Sequence, residues 1–147
     1  MTTTTYVVAK ETEEHIFAPV TGRMKPEERG MDIAHLEWVD WLTWMYELSK
    51  NKYAVHLGEP GAGTFNLNCS YLGIPCIGIE TFRTQNICHP KTTVAVGDIG
   101  AAKSIAKRLK YDKGFYNSCS AETKELYEST YSEKTFHHYM KKIWETL

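Results

Sequence analysis

Between Val55 and Glu80 the chain reads VHLGEPGAGTFNLNCSYLGIPCIGIE, and most of the side chains whose types and spacing suit chemistry fall in this stretch. Gly61, Ala62 and Gly63 form a glycine-rich turn between an apolar run and a helix that opens near Gly63 or Thr64. Neither glycine projects a Cβ, so the backbone there can come close to a ligand. The free N–H groups of a first helical turn, together with the helix dipole, favour a phosphate or a carboxylate. Thr64 adds a hydroxyl. The chemistry on offer is anion binding, with Gly61, Ala62, Gly63 and Thr64 as the candidate residues. The turn is neither a Walker loop, since no GK[ST] follows, nor a GxGxxG fingerprint. Such glycines also serve as simple turn-formers. Glu59 would repel a phosphate unless it points away or binds a hydroxyl.

The remaining polar side chains with chemical potential are scattered. His56 ends a strand beside the turn, the position of a general base or a sugar-hydroxyl contact, and equally of a structural histidine. Cys88 and His89 are neighbours in sequence, which usually point apart, so they do not read as a catalytic pair. His35, His137 and His138 have neither an i,i+4 histidine nor a cluster of acids, so no metal is expected. Cys69, Cys76, Cys88 and Cys119 form no CxxC and read as reduced, packed thiols. No cofactor is expected.

The elements that must position these groups follow from periodicity. Tyr6–Ala9 (YVVA) reads as a strand and HIFAPV (15–20) as a second short apolar run. Residues 21–32 read as a polar loop, broken by Gly22, Pro26 and Gly30. Asp32 is placed to cap a long helix over residues 33–50, with Ile33, Leu36, Trp38, Trp41, Leu42, Met45 and Leu48 at helical spacing. Residues 52–58, 74–80 and 92–97 are strand candidates whose continuous apolarity suits a parallel sheet covered on both faces. Asp98 caps a helix lined by Ile99, Ala102, Ile105, Ala106 and Leu109. Ser120 and Ser132 read as caps of two terminal helices. The expected fold class is α/β: a small open parallel sheet with helices on both faces. The chain divides into an N-terminal portion (1–31) and the α/β region (32–147) of one domain. Ligands in such sheets sit beyond the carboxyl ends of the strands.

With 147 residues, 42% hydrophobic and 24% charged, the chain is long enough to bury a core without disulfides. Seventeen basic against eighteen acidic residues exclude a general electrostatic attraction to nucleic acid or anionic membranes. The basic run KSIAKRLK (103–110) reads as a solvated helix face. No membrane span and no signal peptide are expected, so the expected localisation is cytoplasmic.

The run AGTFNLNCSYLGIPCIGIE resembles the donor-binding segment of GT-B fold glycosyltransferases, in which a strand, a glycine turn, a helix and a G-x-P-x-I strand follow one another. TTVAVGDIGAAKSIAKRLKYD is similar to the strand and helix that close the C-terminal half of that fold, and the last helices are similar to its ending. The resemblance covers residues 32–147 and implies a Rossmann-like donor half that binds a nucleotide-sugar. Its turn would hold the diphosphate, Asn68 or Glu59 would contact the ribose, and Gln85, in the loop after strand 74–80, the sugar. Retaining members carry a fixed-spacing pair of glutamates here. Counting back from Gly73, those positions fall on Asn68 and Pro60, with Glu59 one residue off. Arg23 and Lys25 look like the diphosphate-gripping segment but stand too few residues before the turn.

In that family the other half of the fold supplies the acceptor site and the base, so the resemblance assigns no catalytic residue to this chain. It implies a partner chain or homo-oligomer, seated on the face of Trp38, Trp41 and Trp44 or on that of Trp144. Two other classes stay open: a non-catalytic interaction module with a degenerate site, and a small hydrolase using His56, which requires a carboxylate within reach of that ring.

Overall fold

The computed structural model of the protein describes residues 3–12, 16–18, 30–35, 37–58 and 63–146. Its centre is a three-stranded parallel sheet formed by β3 (Ala54–His56), β4 (Cys76–Ile79) and β5 (Thr93–Val94), in the order β3-β4-β5. The register pairs His56 with Gly78 and Gly78 with Thr93. Helix α3 (Thr64–Leu72) connects β3 to β4. Helix α4 (Arg83–Cys88) and a 3₁₀ turn (Pro90–Thr92) connect β4 to β5. A separate parallel pair, β1 (Ile16–Ala18) with β2 (Ile33–His35), lies outside this sheet.

Strand β4 is buried along its whole length, and its alternation assigns each residue to a layer. Ile77 and Ile79 pack with Val94 against α1 (Thr3–Lys10), α5 (Ile99–Tyr111) and α6 (Lys113–Thr130), through Val8, Ala102, Ala106, Leu109 and Cys119. Cys76 faces the opposite layer with Ala54, Cys69 and Ile74, closed by Met45 and Leu48 of α2 (Trp41–Ser49). Covered on both faces, the central strand carries apolar residues without a polar alternation. Helix α7 (Glu133–Trp144) ends the chain's secondary structure.

Several elements differ from their sequence reading. Tyr6–Ala9 is part of helix α1, not a strand. Thr5, Val8 and, in the closing turn, Thr12 are the buried positions of this segment. They recur at helical spacing, but two of the three are threonines, so the apolar pattern does not show it. The Thr5 hydroxyl accepts from the Leu57 N–H at 3.3 Å and Thr12 Oγ1 meets the Tyr53 hydroxyl at 2.6 Å, docking α1 beside β3.

The single helix expected over 33–50 is β2 followed by the shorter α2. Asp40, rather than Asp32, is its cap, accepting from the Leu42 and Thr43 N–H groups. Asp32 instead pairs with Lys10 at 3.5 Å. Helix α6 starts eight residues earlier than expected from a Ser120 cap, because Asp112 accepts from the Phe115 N–H. Ser120 lies mid-helix and donates to the Gly73 carbonyl at 2.6 Å. Asp98 and Ser132 cap α5 and α7 as the sequence indicates.

Candidate functional site

The carboxyl end of β3 meets the first turn of α3 at His56. Its ring stacks on Phe82 with centroids 4.9 Å apart and a tilt of 12°, and Phe65 approaches it edge-on at 5.4 Å. His56 Nδ1 lies 2.9 Å from Asn66 Oδ1. Asn66 Nδ2 donates to Gln85 Oε1 at 2.5 Å, and Gln85 Nε2 donates to the Cys76 carbonyl at 2.8 Å. Asn66 and Gln85 are both completely buried.

The direction of this chain follows from its inner end. A backbone carbonyl only accepts, so Gln85 must present its NH₂ to Cys76 and its oxygen to Asn66. Asn66 must then present its NH₂ to Gln85 and its oxygen to His56. The sheet makes room for the relay at Gly78: a Cβ there would stand 2.5 Å from Gln85 Cδ.

A second polar cluster adjoins the first through Asn66. The Cys76 N–H donates to His89 Nδ1 at 3.2 Å, so that nitrogen carries the lone pair. His89 Nε2–H points at the Asn66 carbonyl at 3.0 Å, with Ser70 Oγ at 2.9 Å, and the Thr123 hydroxyl lies 2.9 Å from Nδ1. Burial pushes the His89 pKa down from 6.5 to about 4, against the opposing pull of the Asn66 carbonyl. His89 is therefore a neutral core residue tying α3, β4 and α6 together, and it does not pair with Cys88. Burial also pushes the thiols of Cys69, Cys88 and Cys119 up, so they stay protonated and unreactive.

The structure distributes the sequence-selected residues unevenly. Glu59, Gly61 and Ala62 lie outside the described residues, as do Arg23 and Lys25. Gly63 stands immediately before α3 with φ +68°, a left-handed conformation that disfavours any residue with a Cβ. The space beside it is already filled: a Cβ would lie 2.6 Å from Thr84 Oγ1. The glycine is thus explained by packing within the chain as well as by close approach of a ligand. Thr64 is exposed in the first turn of α3, and half-buried Asn68 shares its face four residues on. Gln85 is not in a loop facing a ligand. It lies in α4 with its amide committed to the interior.

Asn66 was not singled out by spacing. Its signal is the inward face of α3, where the buried positions Asn66, Cys69, Ser70 and Gly73 recur at i, i+3, i+4 and i+7 but are small or polar. The hydrolase reading of His56 needs a carboxylate at the ring, and Nδ1 meets a carboxamide instead. Among the described residues no group of His, Cys, Asp or Glu could hold a metal ion, and no helix is long and apolar enough to cross a membrane. No family model, curated protein or solved structure matches the chain.

Proposed function

We propose that the chain is the nucleotide-sugar-binding half of a GT-B-like glycosyltransferase, completed for glycosyl transfer by another domain or chain. The observation that carries this reading is the start of α3. It opens from a left-handed glycine at the carboxyl end of a parallel sheet, and Gly63 has no side chain with which to cap it. The first-turn N–H groups of such a helix have no intrahelical acceptors and suit a diphosphate, whose negative charge the helix dipole also favours. Thr64 would add its hydroxyl, and Asn68, on the same face, a hydrogen bond to the ribose. Gln85 takes no direct part, because its amide is held inside.

The test is calorimetric binding of nucleoside diphosphates, with and without an attached sugar, to the native chain and to Thr64→Glu. A carboxylate in the first turn of α3 complements the helix dipole, so the variant should keep its thermal midpoint. It should lose at least about tenfold in affinity for a diphosphate, since like charges at short range cost more than about 1.4 kcal/mol in a partly desolvated site. Equal affinity in both proteins would remove the diphosphate from this turn.

A second reading, a non-catalytic interaction module, is favoured by exposed aromatic surface. Trp38 and Trp144 are 88% and 80% exposed, with Phe136, Tyr139 and Ile143 beside the latter on α7. Absence of nucleotide binding, together with self-association weakened by Trp144→Ser in sedimentation, would favour that reading.

A further inference from the structure

We infer that His56 is a tautomer-locked hydrogen-bond acceptor that contacts a ligand hydroxyl through Nε2, with Asn66 and Gln85 as its positioning residues. The inference rests on the donor-site reading for the identity of the ligand, a nucleotide-sugar, but its geometry stands apart from that reading. The Cys76 carbonyl sets the direction of Gln85, Gln85 that of Asn66, and Asn66 Oδ1 requires a proton on His56 Nδ1. A neutral imidazole with Nδ1–H carries its lone pair on Nε2. Among the described residues, no hydrogen bond reaches His56 Nε2, and no buried side-chain nitrogen or oxygen lacks a partner. Nε2 is therefore left without a partner among the described residues.

The ring cannot easily turn to hide this nitrogen. Phe82 covers one face and Phe65 closes against it edge-on, while the Asn66 bond holds the Nδ1 side. Asn66 is the third residue of α3, so the imidazole stands against the helical turn that starts at Thr64. A ligand whose diphosphate meets that turn has its hydroxyl groups within reach of the same edge of the sheet. An acceptor nitrogen there selects an O–H, and it is the complement of the N–H donors that meet the phosphates.

Nitrogen-15 NMR of the imidazoles in the full chain reads the tautomer directly, with no variant and no ligand. His56 should show a pyrrole-like Nδ1 and a pyridine-like Nε2 at neutral pH. A protonated Nε2 in the free protein overturns the inference. Addition of UDP-glucose, GDP-mannose or ADP-glucose, whichever binds, should move the Nε2 resonance upfield as it accepts a hydrogen bond. His56→Phe, which keeps a ring between Phe65 and Phe82, should weaken that probe about tenfold, the scale of one hydrogen bond. A probe that binds without moving Nε2, and binds His56→Phe equally well, overturns the contact and leaves the donor site standing. Failure of every probe to bind at millimolar concentration overturns the donor-site reading and the contact together.

Discussion

Burial and the Cys76 N–H both favour an uncharged His89, and the direction of the resulting pH dependence can be worked out. The unfolded chain takes up the proton near pH 6.5, whereas the folded chain resists it until about 4. Between those values the unfolded state binds more protons, so stability is complete above pH 6.5 and falls as the pH drops toward 4. The loss over that window should be about 3 kcal/mol. Urea unfolding from pH 7.5 to 4.5 measures it, and a His89 NMR resonance titrating near 6.5 in the folded protein would contradict it. Gly78 gives a second residue-scale prediction. A methyl group there enters the space of Gln85 and displaces an amide bonded to Asn66 and Cys76. Gly78→Ala should therefore cost about 2–3 kcal/mol by denaturant unfolding, more than a strand alanine would ordinarily cost.

Helix α1 is attached to the sheet layer by few buried apolar contacts, so its ionic and polar tethers matter more than such groups usually do. Glu11, in the turn that closes α1, reaches Lys103 and Lys107 of α5, each at 2.8 Å. Hydrogen bonds from these two lysines hold its carboxyl down to about 2 from 4.5. The stabilisation is therefore present above pH 4.5 and is lost as the pH falls toward 2. The Lys110 ammonium also donates to the Thr12 carbonyl beside them. Glu11→Gln should speed amide exchange in α1 before it affects α5, with the global unfolding midpoint changed little. Uniform exchange across both helices would show that α1 does not open on its own.

At the scale of the molecule, the core and α7 are nearly independent. Helix α7 has no buried residue of its own, and its apolar stripe, Phe136, Tyr139, Met140 and Ile143, is exposed. A chain stopped after Tyr131 should keep its circular dichroism per residue in the sheet and remaining helices, and should lose no more than about 1–2 kcal/mol of stability, since little buried apolar area goes with α7. Collapse of that shortened chain would mean that α7 holds α6 in place. The sheet itself joins residues far apart in sequence. His89 bonds to α3, β4 and α6 at once, so its neutral state bears on the cohesion of the layer.

Much of the α/β order was legible in the chain, for reasons of short range. The strands at 54–56, 76–79 and 93–94 lie within their apolar runs, and Asp98 and Ser132 cap helices because a side-chain oxygen beside a helix start needs only its own next three residues. The caps read at Asp32 and Ser120 stand instead at Asp40 and Asp112, while Asp32 pairs with Lys10 and Ser120 with the Gly73 carbonyl, partners distant in sequence that local pattern does not show. The glycine turn pointed to the carboxyl edge of the sheet, yet the relay behind it was hidden. Asn66 and Gln85 are nineteen residues apart; Asn66 reads as an ordinary polar residue, and the family resemblance casts Gln85 as a sugar contact rather than as an interior bridge. Only the tertiary structure brings both beneath His56, because β4 sets Gly78 under α4 and leaves the Cys76 carbonyl as a fixed acceptor from which the relay through Gln85 and Asn66 takes its direction.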